Sequence, residues 1–341
     1  MNAIDSLTTY RISLEPSGRE VVCKEGQTLL DAVLRSGFPI PYGCRHGNCS
    51  SCKARVLEGD YQLMDRVSEF ALMSFERSEG YVLMCSTLPE SDMVVEVEEL
   101  EEEEGARYYP IHDFDGVVVE NTPYTHDIHK LTVQMDRPNF DYAAGQFCEF
   151  VIPGMEDSRA YSMATPCTNA GLLEFHIKRI PGGKGSNYMC DLQPGDSIQG
   201  SGPYGKMYLR NRSKPLLFVA GGSGMAPIKA MLEDLFTQPI TDDVWFFYGA
   251  RTKKDLYLLD YWTNLQETHD RFHFIPALSD KEPLDEWSGE EGYIADVVAK
   301  YMEDFLGMDA YLCGPPILIQ TTLKVLYKGG LRSSNIFYDE F

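Results

Sequence analysis

PYGCRHGNCSSC, residues 41–52, decides how the first third of this chain must be built. Its cysteines stand at Cys44, Cys49 and Cys52, and Cys85 follows after 32 intervening residues. A C-x4-C-x2-C loop with one distant cysteine is the spacing that holds a [2Fe–2S] cluster. Each iron takes two thiolates besides the bridging sulfides, so a short loop supplies three sulfurs and the fourth returns from elsewhere. The glycines and serines of the loop let backbone N–H groups approach those sulfurs and tune the potential. A structural zinc site is the rival reading. Zinc sites pair two short cysteine knuckles, however, and the second half here has one cysteine. His46 sits inside the loop, but four cysteines complete the set, so it is expected on the loop surface.

Working outward, Tyr10–Leu14 and Glu20–Cys23 alternate in polarity about a Pro16-Ser17-Gly18 turn, which predicts a hairpin. Thr28–Ser36 carries apolar residues at helical spacing and stops at Gly37. Lys53–Leu57 and Met93–Val97 read as strands, the second closing the segment. Then comes EVEELEEEEG, residues 96–105, in which seven of ten residues are Glu. Such a run repels itself and suits a solvated linker, the first domain boundary.

Beyond the linker the pattern changes twice. Between 108 and 210, short β-rich runs at Gly116–Val119, Lys130–Met135, Gln146–Ile152, Leu172–Arg179 and Ser197–Gly200 are separated by turn residues. That predicts a small antiparallel barrel, with one helix near Ser186–Cys190. From 211 onward, the apolar run Pro215–Ala220 enters a GGSG turn and a helical stretch, Met225–Phe236. Val244–Tyr248, Phe272–Ala277 and Ala310–Cys313 are further buried strands with helical patterns between them. Alternating strand and helix predicts a parallel, doubly wound sheet.

Two dinucleotide motifs lie in these segments. Arg159-Ala160-Tyr161-Ser162 is strand-like, so Arg159 and Tyr161 share a side. The guanidinium suits a pyrophosphate, the ring suits an isoalloxazine, and the Ser162 hydroxyl suits the flavin N5 region. Lys178 to Ser186 (KRIPGGKGS) then leaves a strand and opens a helix, with Gly183, Gly185 and Ser186 at its start. Glycine-rich backbone at a helix N-terminus favours phosphate oxygens. By itself R-x-Y-S is equally an exposed Arg beside a barrel Tyr. In the third segment Gly221-Gly222-Ser223-Gly224 forms the first strand-to-helix crossover, where open parallel sheets bind dinucleotides. Cys313-Gly314-Pro315-Pro316 ends a later strand, placing Cys313 next to a nicotinamide; its bland alternative is a buried core thiol. Ser279-Asp280 supplies an acid after the third strand of this segment, which favours NADH over NADPH, while Arg251 and Lys253-Lys254 argue the other way.

Bulk properties fit this picture. The 341 residues predict two or three domains, and 43% hydrophobic with 24% charged residues is ordinary for a globular chain. No run of about 18 apolar residues occurs, so no membrane-spanning helix is expected. Met1–Tyr10 has neither a basic flank nor an apolar core, so a cytoplasmic location is the default. The formal charge of −22 excludes nucleic acid as an expected partner. Residues 1–104 hold 9 basic and 20 acidic side chains, a net of −11, and the remaining 237 residues carry the other −11. The denser acidic charge in front would steer that part toward a basic docking surface. Nine cysteines in a chain without an export signal point to ligands or thiols instead of disulfides. Cys23, Cys148, Cys167 and Cys190 lack partner spacing and are expected as small buried apolar residues.

With these residues assembled, the chain resembles the ferredoxin–FAD–NAD reductases of multicomponent oxygenases, over essentially its full length. PYGCRHGNCSSC, FALMSFER (70–77) and GSGPYGKMYL (200–209) resemble the reductase components of soluble di-iron monooxygenases of the propane and methane type. The resemblance implies a multidomain protein in three parts. These are an α+β ferredoxin-like (β-grasp) [2Fe–2S] domain over 1–104, an antiparallel β-barrel FAD domain over 108–210, and an α/β doubly wound NAD domain over 211–341. It implies cluster ligation by Cys44, Cys49, Cys52 and Cys85. FAD would be held by Arg159, Tyr161, Ser162, Lys178, Gly183, Gly185 and Ser186, and NADH by Gly221–Gly224 and Cys313–Pro315. A terminal aromatic, here Phe341, would cover the flavin. It also implies transient electrostatic docking to an oxygenase (hydroxylase) component. A reductase of a Rieske-type aromatic dioxygenase or of deoxysugar dehydration has the same three parts. A carrier or sensor with a non-catalytic barrel is the reading of a different class.

Overall fold

The structure is a computed structural model that describes residues 8–43, 45–98, 108–137, 139–155, 157–167 and 171–341. It divides into two compact units, 1–112 and 113–341.

In the first unit a five-stranded sheet runs in the order Arg19–Lys24, Thr9–Glu15, Met93–Val97, Lys53–Glu58, Tyr81–Leu83. Alternation in the first two strands buries Ile12, Leu14, Val21 and Cys23 on one face, and the helix Leu29–Arg35 covers it with Leu29, Leu30 and Val33. Thr28 caps that helix, its hydroxyl accepting from the Asp31 N–H at 3.3 Å. Met93–Val97 closes the segment in chain order but lies at the centre of the sheet, parallel to Thr9–Glu15 and antiparallel to Lys53–Glu58. Tyr61–Leu63 and Thr87–Pro89 pair in a small second sheet. These short pieces and Tyr81–Leu83 have only three residues each, too few to show a period. The acidic run falls largely on residues 99–107, which lie outside the described residues.

The second unit contains two architectures. An antiparallel six-stranded sheet runs Arg159–Ser162, Phe147–Phe150, Ser197–Tyr204, His112–Pro123, Ile128–Met135, Leu172–Lys178. A bridge between Met163 and Phe175 joins its two ends into a barrel. Its core is aromatic, with Phe150 packed edge-to-face on Phe175 at 5.0 Å and on Phe114 at 5.9 Å. Beside it stands a parallel sheet ordered Glu290–Glu291, Phe272–Leu278, Val244–Ala250, Leu216–Gly221, Asp309–Gly314, Ile336–Glu340. Leu216, Phe218 and Ala220 pack to one face with the helices Met225–Leu235 and Leu259–Thr268. Leu217 and Val219 pack to the other with Ile294–Tyr301 and Pro316–Lys328. Burial on both faces is why this strand reads as an unbroken apolar run. Strand order reverses beside Leu216–Gly221, which makes the carboxyl ends of that strand and of Asp309–Gly314 a binding crevice. The sequence reading missed the last strand, Ile336–Glu340: its alternation of buried and exposed residues marks an edge strand, and the span is short.

Three of the four unassigned cysteines, Cys23, Cys148 and Cys190, are buried. Cys167 corrects the expectation: it is exposed, in the loop after Arg159–Ser162, where no strand periodicity turns it inward. Its thiol lies 3.5 Å from the Phe140 carbonyl.

Candidate cofactor sites

In the first unit, Cys52 is buried at the start of Lys53–Glu58 and Cys85 is buried in the short 3-10 turn Met84–Ser86. The Met84 N–H donates to the Cys52 carbonyl at 3.0 Å, pinning the two segments together. The Cys85 thiol is drawn down to about 6, first by the hydrogen bond from Cys52, then by Ser86, the Gly47 amide and the Arg66 charge. The Cys52 thiol moves up for the complementary reason, since it keeps the proton that it donates to the Cys85 sulfur. Cys49 is close enough for its charge to act on Cys52. A β-carbon at Gly43 would sit 3.2 Å from the Cys49 sulfur, so small residues do line these thiols. Cys44 lies outside the described residues. His46 is exposed on the loop. Neighbouring thiols with amide and hydroxyl donors aimed at sulfur are the donor set that a thiolate-bound cluster requires, and the site fits it. No described cysteine is in a disulfide.

The second unit contains an open cavity of about 1550 Å³. Pockets for a single small molecule span roughly 300–1,000 Å³, so this one has room for more than one group. One wall is the barrel: Arg159, Tyr161 and Ser162 from the edge strand, with Gly183, Gly185 and Ser186 from the start of the helix Lys184–Asp191. A β-carbon at Gly185 would come 2.8 Å from Arg159 Cγ, so a glycine there lets the helix start close against the arginine. Among the described residues Arg159 makes hydrogen bonds only through Nη1, to the Ser158 and Asp157 carbonyls at 2.8 and 3.3 Å. Ser186 turns its hydroxyl back to accept from the Ile180 N–H at 3.1 Å, fixing the glycine turn. Burial pushes the Tyr161 hydroxyl up to about 12, and its ring tilts against Phe150.

The opposite wall is the parallel sheet. Gly221, Gly222 and Ser223 face the cavity, as do Pro315 and Phe341. Gly224 and Gly314 are not on the wall. Gly224 lies against the neighbouring strand, where an added β-carbon would be 2.2 Å from the Cys313 carbonyl. Cys313 is likewise behind the wall, fully buried, and burial holds its thiol far above the ordinary range. It therefore stays protonated and acts through shape. Lys178 reaches from barrel to turn, its Nζ 3.5 Å from Asp127 and 3.9 Å from where a Gly222 side chain would begin. Ser279 and Asp280 line the far end, the Asp280 N–H donating to the Arg251 carbonyl at 2.8 Å.

Two further features were not legible in the sequence. His176 is buried in the cavity wall, its Nε2 2.9 Å from Glu174 and its Nδ1 2.9 Å from the Tyr257 hydroxyl. Burial lowers its pKa, so the ring is neutral; beside a carboxylate the proton belongs on Nε2, and Nδ1 accepts from Tyr257. Glu174 also faces Lys229 at 3.5 Å, and Lys229 donates to the Ala164 carbonyl and pairs with Glu233. The Tyr257 hydroxyl also lies 3.3 Å from the Gly222 carbonyl, so its side chain stands between His176 and the glycine turn. Asp339 stands opposite Cys313 in the sheet register, on the cavity wall, and burial raises it to about 6. Residues at 174, 176, 229 and 257 share no sequence spacing that announces a contact.

Comparison with known proteins accounts for both units. Residues 12–90 match the 2Fe-2S iron-sulfur cluster binding domain, 115–208 the oxidoreductase FAD-binding domain, and 218–324 the oxidoreductase NAD-binding domain. The propane 2-monooxygenase reductase component of Gordonia sp. (strain TY-5) is 38% identical, covering 98% of this chain and 97% of its own length. The phenol hydroxylase P5 protein of Acinetobacter pittii (strain PHEA-2) is 35% identical over 98% of this chain and 94% of its own. Among solved structures, the Amycolatopsis cytochrome P450 reductase GcoB superposes with a TM-score of 0.87 at 29% identity, covering 98% and 99% of the two chains. The ferredoxin reductase in carbazole 1,9a-dioxygenase follows with 0.80 at 27% identity and 98% of each. In domain order, in coverage and in identity, this chain belongs to the ferredoxin–FAD–NAD reductase family that includes the reductase components of multicomponent monooxygenases.

Proposed function

We propose that this chain oxidises NADH at the cavity of its second unit and supplies single electrons to the hydroxylase component of a di-iron monooxygenase. The observation that carries the reading is one cavity walled by the Arg159–Ser162 strand on one side and the Gly221–Ser223 turn on the other. When bound, FAD takes the two-electron hydride and the [2Fe–2S] cluster exchanges one electron at a time, so the flavin belongs between nicotinamide and cluster.

The residues divide the work. Arg159 and the helix start at Gly183–Ser186 hold the FAD pyrophosphate, with Lys178 adding charge at the turn. Tyr161 offers its ring to the isoalloxazine and Ser162 its hydroxyl to the N5 side. Gly221–Gly224 and Cys313–Pro315 form the switch-point crevice for the nicotinamide dinucleotide, and the protonated Cys313 thiol sets its floor. Asp280 favours an unphosphorylated ribose, and Phe341 covers the flavin. Cys44, Cys49, Cys52 and Cys85 bind the cluster. Hydride transfer needs no general acid or base, and none is assigned. The acidic first unit docks transiently on a basic acceptor surface. Nine cysteines, none of the described ones in a disulfide, suit a cytoplasmic setting.

The test is reconstitution. The purified chain should show flavin and cluster absorbance, both bleached by NADH, and should drive NADH-dependent product formation with a propane- or phenol-type hydroxylase. A colourless chain, or one bleached by NADH but inert with every di-iron hydroxylase, defeats the proposal. The likeness to GcoB favours one second reading, a haem monooxygenase as acceptor, and that to the carbazole system a Rieske oxygenase; the same assay with those acceptors separates them.

A further inference from the structure

The segment 67–76 packs inward and outward at once. Val67, Ala71 and Leu72 are buried, while Phe70 is 93% exposed, Phe75 57% and Met73 48%. Scattered apolar residues on a surface are ordinary, but three within six positions form a patch. Its backbone is fixed to the cluster loop itself. The Ser68 N–H donates to the Gly47 carbonyl at 2.9 Å, and the Ser50 hydroxyl donates to the Ala71 carbonyl at 3.0 Å. Glu76 accepts from the Met73 N–H at 2.9 Å and pairs with Lys53, the residue after Cys52, at 2.5 Å. The side chains are thus presented on a braced segment hydrogen-bonded to the loop that carries the cluster cysteines.

The geometry points to Phe70, Met73 and Phe75 as the apolar centre of the surface through which the first unit docks on its electron acceptor, a protein face with an apolar socket and a basic rim. This rests on the reading above that an oxygenase component receives the electrons. Charge selects the occupant. Exposed Asp65, Glu69 and Glu79 flank the patch and outnumber exposed Arg66 and Arg77, whose guanidiniums turn to the Cys85 and Leu72 carbonyls, in a segment of net −11. A second copy brings −22 and the rest of this chain another −11, so both are repelled, whereas a basic rim is attracted. Within the chain, the covalent connection already supplies a high local concentration, so cluster and flavin need no sticky patch to meet. A separate acceptor does need one. Aromatic side chains presented at low entropic cost are the usual anchors of such contacts.

The experiment uses the full holoprotein and the double variant F70S/F75S, with a purified propane-type hydroxylase as acceptor. The expected result is a coupled rate at limiting hydroxylase that falls at least about tenfold, the size of losing an anchor aromatic, and recovers at high concentration. Flavin and cluster spectra, and the rate at which NADH bleaches the cluster, stay as in the parent. A coupled rate within about twofold of the parent overturns the inference and leaves the functional reading standing. Slower cluster bleaching overturns it differently, by showing that the patch serves the flavin unit. A dimeric parent that becomes monomeric in F70S/F75S overturns it in favour of self-association. If the parent itself drives no product, the functional reading fails, and this inference falls with it.

Discussion

The two units reach redox chemistry by opposite routes. In the first, three of the four cysteines proposed to bind the cluster lie within nine residues, so one short loop supplies most of the site. In the second, the cavity draws on the edge strand at 159–162, the helix start at 183–186, the turn at 221–223, Pro315 and the last residue of the chain. A site written into one loop is lost by one ligand change. A site assembled from distant segments loses function by degrees, because each wall is held by its own packing.

The sharpest way to break this comparison is Cys52→Ser. It should abolish the cluster spectrum and oxygenase coupling while leaving NADH oxidation with ferricyanide intact, since the cavity shares no residue with the loop. Loss of hydride transfer with flavin retained would show that the two sites are not independent. Gly224→Ala tests the assembled site at its tightest approach, 2.2 Å from the Cys313 carbonyl. Overpacking of this kind costs about 1–3 kcal/mol, and should appear as a lower melting temperature and a raised KM for NADH at unchanged flavin content.

Asp339 gives the assembled site a pH signature. Its folded pKa, about 6, lies above the ordinary value of 3.8, so its contribution to stability is complete below that ordinary value and is lost as pH rises through 6. Asp339→Asn should therefore be more stable than the parent at pH 8, by about 2 kcal/mol, and gain nothing near pH 3.5, by urea denaturation. His176 has the opposite sign. Its folded pKa is lowered, so only the unfolded chain takes up the proton, and stability falls as pH drops below about 6.5. His176→Gln should flatten that acid limb and, by losing one of the two ring hydrogen bonds, cost about 1–2 kcal/mol at pH 8. The smallest effect concerns docking. Between about 10 mM and 150 mM salt, where the screening length falls from roughly 30 to 8 Å, the coupled rate should drop by a few fold while ferricyanide reduction does not. A salt-independent coupled rate would remove electrostatics from the docking step.

Much of this was legible without coordinates. The hairpin and helix of the first unit, the barrel runs and the strands from Leu216 onward follow from periods of two and 3.6 or from unbroken apolar runs, and those patterns are local. The cysteine spacing and the glycine turns were legible for the same reason, since spacing along a short loop is a local property. Exposed Cys167 escaped because a loop has no period from which to read burial.

Sequence alone determined which groups this chain is built to bind, since thiolate spacing and glycine turns act through neighbouring backbone. Only the tertiary structure decided which partners met across space. It put Met93–Val97 at the centre of its sheet, Cys313 behind the glycine turn, Asp339 opposite Cys313, and His176 between Glu174 and Tyr257. Burial and long-range contact depend on how sheets and helices stack, and a half-buried carboxylate or a buried imidazole owes its pKa to that stacking. No spacing along the chain encodes it.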